Sequence, residues 1–425
     1  MQEASVSVRL NPFKGLAGPE GTPVPWSPYG RILSGRPAFT LDPLFHAGCY
    51  YVQDSSAMFV GYLFRKLLTG RGPLRVLDLC AAPGGKTTDL AASLRGAYGD
   101  GFVLVANEVM KARVGVLDDN VARWGDPNVV VTSVDPGAFA RLAGWFDIIV
   151  ADVPCSGEGM FRKDPRAVEE WSLENVQFCA ARSRRILTDI WPTLAPGGIL
   201  LYSTCTFNLE ENDHNAAWIA DELGADVLPV AMDPQWKIVE METGYHFFPH
   251  LIRGEGFYVC ALRKQGDAEH FMPYKCKETK KTSKPVDGEE DMRLWLKHPE
   301  HWFIRQYDHF MTAYPLQHKD LIESLGSQLT CISTGFGIGE LRGKHVAPQH
   351  ALAMAKDVNM DAFPVLEADY ETALSYLRTE ALQVDVRLPL GSCLLSYEGV
   401  PLGFAKNVGN RLNNAYPHEW RIRKL

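Results

Sequence analysis

From Leu74 to Lys264, short apolar runs alternate with longer amphipathic stretches. The apolar runs fall at Leu74–Leu79, Phe102–Asn107, Val129–Ser133, Phe146–Ala151, Ile199–Ser203 and Phe257–Leu262. They are apolar at nearly every position, the pattern of strands covered on both faces. Between them the spacing predicts helices at Thr87–Leu94, Lys111–Trp124, Leu173–Leu194 and Glu211–Leu223. This alternation predicts an α/β, Rossmann-like domain: a mostly parallel sheet with helices on both faces. In such sheets ligands and chemistry gather beyond the C-terminal ends of the strands.

The pattern changes outside this stretch. Residues 1–45 hold many prolines and glycines and no long periodic segment, and read as an irregular lead-in to a main domain over 46–265. Residues 266–291 are rich in Lys, Glu, Asp, Gly and Ser and read as a linker. An intermediate region, 292–375, gives no clear period. The last part, 376–425, carries short β-like runs cut by glycines, with a hairpin predicted at Glu398-Gly399.

At 425 residues the chain exceeds one ordinary core. No apolar run approaches the ~20 residues of a membrane span. The first residues lack the basic and apolar regions of a signal peptide, so a cytoplasmic protein is expected. Nine cysteines without regular spacing do not form a disulfide framework, and no Cys-x-x-Cys or His-x-x-x-His suggests a metal. The net charge of −8 argues against bulk nucleic-acid binding but not against a local basic surface. From Glu380 to Leu425 there are six Lys/Arg and four Asp/Glu.

Three strand exits carry chemistry. The first strand runs into Cys80-Ala81-Ala82-Pro83-Gly84-Gly85-Lys86. This is one residue away from a phosphate-binding P-loop, which needs glycine where Cys80 stands, so an ATPase is a competing reading. Against it, Pro83 removes one backbone donor from a loop whose task would be to surround phosphates with N–H groups. Glu108 also closes the second strand, where a carboxylate meets ribose hydroxyls. Together these favour S-adenosylmethionine over ATP. The other two exits hold Cys155, in Asp152-Val-Pro-Cys-Ser-Gly-Glu-Gly159, and Cys205, in Tyr202-Ser-Thr-Cys-Thr-Phe207. A methyl donor beside a thiol points to a poor carbon nucleophile such as cytosine C5. Thiolate addition at C6 activates C5, and a carboxyl group must contact N3 and the exocyclic amine. Asp152 is the candidate, best protonated in a dry pocket. On residues alone Cys155, beside Asp152, is the nucleophile. A buried thiol is more often inert packing, the reading given to Cys49, Cys179, Cys260, Cys276, Cys331 and Cys393. Lys163, after the Cys155 loop, is a candidate substrate contact or a solvated basic turn. His246 and His250 read as packing or substrate-side polar groups.

These three motifs, in this order, resemble the Nop/Sun family of RNA cytosine-5 methyltransferases. Gln53-Asp-Ser-Ser56, Gly254-Glu-Gly-Phe-Tyr258 and the N-terminal Ser7-Val-Arg-Leu-Asn-Pro-Phe-Lys14 extend the resemblance. The tail resembles the PUA-like RNA-binding module of the family's bacterial small-subunit rRNA methyltransferase F type, through Leu402–Lys406 and Arg411–Pro417. The resemblance implies a class I methyltransferase fold with a reduced N-terminal domain over 1–45 and a PUA-like region over 376–425. It implies Cys205 as the nucleophile and Cys155 as the residue that assists release, reversing the choice made on residues alone. It places Cys80–Lys86, Glu108, Asp135 and Asp152 at the S-adenosylmethionine site. The expected partner is RNA, small-subunit rRNA or the 30S subunit, with no membrane, no metal and a monomeric enzyme. A non-catalytic RNA-binding assembly factor is the remaining alternative, and the intact Asp152, Cys155 and Cys205 weigh against it.

Overall fold

The computed structural model describes residues 5–68, 73–163, 165–266, 288–343, 345–382 and 388–423. Its centre is a sheet built from β1 (Leu74–Asp78), β2 (Phe102–Asn107), β3 (Val129–Thr132), β4 (Phe146–Asp152), β5 (Leu194–Thr204), β6 (Phe257–Lys264) and β7 (Cys331–Thr334). The order is β6-β5-β4-β1-β2-β3-β7, with the short strands Ala225–Val227, Val239–Glu240 and Tyr245–Phe247 beyond β6. β1 to β5 are parallel. β6 runs antiparallel to β5, and β7 antiparallel to β3. The chain turns from β1 to β2 on one side and reaches β4 on the other. That reversal opens a crevice at the strand ends.

The middles of the parallel strands are apolar because their alternate side chains enter two different cores. Val76, Leu104, Val150 and Leu201 lie in one, under α1 (Gly85–Tyr98) and α2 (Lys111–Trp124). Leu77, Val105, Ile149 and Leu200 lie in the other, under α3 (Leu173–Ile190) and α4 (Asp213–Leu223). The helix expected over Leu173–Leu194 ends at Ile190, because Leu194 already opens β5. The expected irregular lead-in is corrected. Ser7–Leu10, Thr22–Pro23 and Gly30–Ile32 form a four-stranded sheet with Tyr50–Val52. Strands this short are too brief to show a period of two.

The rest of the chain builds two more four-stranded sheets. One contains Trp302–Tyr307, Phe310–Pro315, Phe336–Arg342 and His345–Pro348. The last contains Val365–Glu367, Gly391–Tyr397, Val400–Asn407 and Leu412–Asn414, with the hairpin turning at Glu398-Gly399. Leu374, Leu402 and Tyr416 share one apolar cluster with Val8, Leu10 and Tyr50, so the two ends of the chain pack on each other. The expected linker lies almost wholly outside the described residues, as does Cys276.

The C-terminal end of α2 is where these parts meet. A helix end leaves carbonyls without partners. Here Lys14 Nζ donates to Arg123 O at 2.8 Å, Asn11 Nδ2 to Trp124 O at 3.0 Å, and Lys356 N to Gly125 O at 3.1 Å. Lys14 also brings positive charge to the negative end of the helix dipole. Arg9 is fully buried. It donates to Gln53 Oε1 at 2.9 Å and to Gly85 O at 3.1 Å, and stacks 4.5 Å from the Trp124 ring. The cations of the N-terminal motif thus join helices inside the protein.

Candidate active site

β4 and β5 are neighbours in register, with Asp152 opposite Ser203. The cysteine three residues past Asp152 and the one two residues past Ser203 therefore leave the sheet side by side. The Sγ atoms of Cys155 and Cys205 are 3.0 Å apart. The two thiols share a hydrogen bond. That hydrogen bond, with burial added, raises the Cys155 thiol well above its ordinary range. The same bond lowers Cys205 against the cost of burial, helped by the charge of Lys86. The pair is polarised, with Cys205 as the thiolate side.

Each cysteine loop is held by a carboxylate from the other. Glu158 Oε2 accepts from Thr206 Oγ1 at 2.6 Å, Phe207 N at 3.1 Å and Asn208 N at 2.9 Å, while Oε1 accepts from Trp171 Nε1 at 3.1 Å. In return Glu211 accepts from Ser156 N at 2.9 Å, from the Ser156 hydroxyl, and from Asn208 Nδ2 at 2.8 Å. Burial raises the Glu211 carboxyl, opposed by these donors. Gly159 N donates to Cys205 O at 2.9 Å. A Cβ on Gly159 would stand 2.6 Å from that oxygen, so the two loops approach as only glycine allows. Sequence reading missed both glutamates. Each lies within six positions of a cysteine, but only the register of β4 and β5 shows that it crosses to the other loop.

Asp152 is not the isolated carboxyl expected of a dry pocket. It is paired with Lys86 Nζ at 2.7 Å and accepts from Ser203 Oγ at 2.7 Å. Burial opposes the Lys86 charge, but Asp152 outweighs it and the ammonium is held above its usual range.

The glycine loop joins β1 to α1 beside this pair. Gly84 has φ 108°, a conformation costly to any other residue, and caps α1. Ala81 N donates to Asn107 O at 2.8 Å and Gly84 N to Ala81 O at 2.7 Å. With these N–H groups engaged and none on Pro83, the loop lacks the nest a triphosphate needs, against the ATPase reading. The Ala82 and Pro83 carbonyls point at α2, where Arg113 Nη2 donates to the first at 2.6 Å and Asn120 Nδ2 to the second at 2.7 Å. Tyr51 OH also reaches Pro83 O, at 3.3 Å. Asp78 is fully buried beneath the loop and accepts from Thr87 Oγ1 at 2.6 Å; burial pushes its carboxyl up to about 7. Burial also raises the Cys80 thiol. Glu108 closes β2 next to the loop, with Met110 N donating to it at 2.8 Å. A loop of small residues beside a carboxylate at the next strand end fits an adenosyl ligand. Asp135, after β3, is exposed and accepts from Gly137 N at 3.0 Å.

The other expected residues are placed as follows. Lys163 lies 3.5 Å from Asp54 and 3.3 Å from Glu255, bridging two loops of the protein. His246 is buried, 2.9 Å from Asp213 and stacked on Phe248. Tyr202 is core, its hydroxyl donating to Glu211 O at 2.5 Å. Among the described residues no helix is long and apolar enough to cross a membrane, and no group of three His, Cys, Asp or Glu could hold a metal ion.

Three family models match the chain: 16S rRNA methyltransferase RsmB/F over residues 67–263, the RsmF PUA domain over 363–422, and the N-terminal domain of 16S rRNA methyltransferase RsmF over 1–55. The chain is 32% identical over 447 residues to ribosomal RNA small subunit methyltransferase F of Escherichia coli K12, covering 98% of this chain and 88% of the relative. It is 33% identical over 447 residues to the protein of that name from Cronobacter sakazakii, with the same coverage. A crystal structure of a methyltransferase homologue from Pyrococcus horikoshii, 26% identical, superposes with a TM-score of 0.52 over 62% of this chain and 87% of that one. This chain belongs to the RsmF group of 16S rRNA methyltransferases, S-adenosylmethionine-dependent enzymes that methylate RNA.

Proposed function

We propose that the chain methylates C5 of a cytosine in 16S rRNA, free or within the 30S subunit, through a covalent bond between Cys205 and C6. The observation that carries this reading is the polarised thiol pair at 3.0 Å, set at the ends of two adjacent parallel strands. C5 of cytosine is too weak a nucleophile to take a methyl group directly. Addition of the Cys205 thiolate at C6 breaks the C5–C6 double bond and leaves C5 electron-rich. S-adenosylmethionine supplies the electrophilic methyl group, and Cys80–Lys86, Glu108, Asp135 and Asp152 are the residues proposed to hold it. Asp152 accepts from the exocyclic amine of the base, and Lys86 offers the cationic partner for charge that addition pushes into the ring. A base such as water then takes the C5 proton, the C–H electrons re-form the C5–C6 double bond and break the C6–S bond, and the Cys155 thiol, donating to the departing Cys205 sulfur, assists that release. C5 is reached only when the base is unstacked, so the target is single-stranded or flipped out. In this reading the methyltransferase domain spans 46–265 and the RNA-binding region occupies 376–425.

The test is a pair of variants on RNA substrate. Cys205→Ala should give no turnover and no adduct. Cys155→Ala should accumulate a denaturant-resistant protein–RNA band. If Cys205→Ala forms the band and Cys155→Ala does not, the roles are reversed. Mapping 5-methylcytosine in rRNA from cells with and without the gene names the target base.

A further inference from the structure

One face of α2 touches the glycine loop, and Arg123 in its last turn touches Trp420, in the short turn that follows the C-terminal sheet. Between them runs an unbroken line of contacts. Asn120 Nδ2 donates to Pro83 O at 2.7 Å. Its other end is fixed by Arg123, whose Nη1 donates to Asn120 Oδ1 at 3.1 Å. The Arg123 guanidinium lies 4.0 Å from the ring of Trp420. Trp420 is itself held: its ring meets His350 at 4.9 Å and Tyr416 at 6.5 Å, edge-on.

The amide of Asn120 has two ends of similar size and opposite polarity. With its nitrogen toward Pro83 O it holds the loop; turned over, it sets oxygen against oxygen. Arg123, a pure donor, decides which end faces the loop. Packing does not decide it, because Asn120 and Arg123 border a cavity of about 190 Å³ lined also by Tyr51 and Trp124. Two groups fix Arg123 beside Asn120: the Asp119 carboxylate, by its charge, and the Trp420 ring, by a cation–π contact made in a partly desolvated place.

We propose that Trp420 is a positioning residue for the glycine loop, acting through Arg123 and Asn120. The C-terminal region thereby sets how well residues 80–86 receive S-adenosylmethionine. This rests on the reading of that loop as the cofactor site.

The test is titration of the full-length protein with S-adenosylhomocysteine, followed by steady-state kinetics. Trp420→Ala should raise Kd about 5-fold, and KM for S-adenosylmethionine with it, while Trp420→Phe, which keeps a ring face, recovers most of the affinity. Asn120→Ala should do the same as Trp420→Ala, and the double variant should be no worse than either single one. Unchanged Kd in Trp420→Ala, with a raised KM for RNA or a lowered Tm alone, overturns the proposal. So do additive losses in the double variant. Should Trp420→Ala not fold, Arg123→Lys keeps the charge without the forked donor, and wild-type affinity there overturns the relay. Glu108→Ala separates the two readings. If it loses the ligand while Trp420→Ala binds normally, only the relay is wrong. If it binds normally, the loop is not the cofactor site and the relay falls with it.

Discussion

The thiol pair and the glycine loop adjoin each other but are built differently. Cys155 and Cys205 are held by carboxylates close to them in sequence, Glu158 and Glu211, exchanged between neighbouring strand ends. The glycine loop is held from every part of the chain: Arg9 and Tyr51 before it, Arg113 and Asn120 after it, and Trp420 behind Arg123. A nucleophile needs its partner at one fixed distance, which two adjacent strands supply. A loop that binds by its backbone needs its carbonyls turned away from the ligand, and that takes donors from outside.

The sharpest way to break this contrast is to disable one region and read the other. Cys205→Ala should lower kcat by roughly 10³-fold or more while S-adenosylhomocysteine binds as in the wild type. Loss of ligand binding in that variant would show the two regions to be one unit.

Asp78 tests the loop side through pH. Its folded-state value of about 7 lies above the unfolded 3.8, so the folded protein holds an extra proton between them. Stability from this group is therefore complete below pH 4 and is lost as pH rises through 7. Asp78→Asn has no such proton. Its stability relative to wild type should grow across that window, by up to about 4 kcal/mol, and then level off. Urea denaturation at pH 4.5 and 8 checks it; a constant difference would refute the buried, raised carboxyl.

Glu158→Ala leaves buried N–H and O–H donors without a partner and should cost about 2–3 kcal/mol in urea denaturation. Its kinetic loss should fall on kcat. Arg9→Ala should destabilise by a similar amount, about 3 kcal/mol, but raise KM for S-adenosylmethionine instead. Equal effects of both on both constants would erase the contrast. The smallest effect expected is in labelling. Iodoacetamide at neutral pH should modify Cys205 several-fold faster than Cys155, because the thiolate is the reactive form. Faster labelling of Cys155 would reverse the polarity of the pair.

The central strands were legible because both their faces are buried, and the loop and cysteine motifs because they sit where those strands end. The single residue Cys80 and the missing donor at Pro83 already argued against a triphosphate. The N-terminal sheet was not legible, since strands of two to four residues carry no period. Nor was the antiparallel direction of β6, because a strand buried on both faces reads the same either way. Lys163 and Arg9 show the limit for charged groups. Lys163 was legible only as a substrate contact or a solvated turn, and its ion pairs with Asp54 and Glu255, like the burial of Arg9 under Trp124, come from residues that no local motif names.

The sequence by itself determined the order of the strands along the chain, the residues at their ends and the kind of chemistry those residues can do. Only the tertiary structure decided that Cys155 and Cys205 meet as one hydrogen-bonded pair, that Glu158 and Glu211 cross between loops, and that the two ends of the chain converge on α2. The reason is physical. Periodicity and residue type are local properties, whereas a proton's place between two thiols and a helix end's choice of caps depend on groups brought together by register and packing.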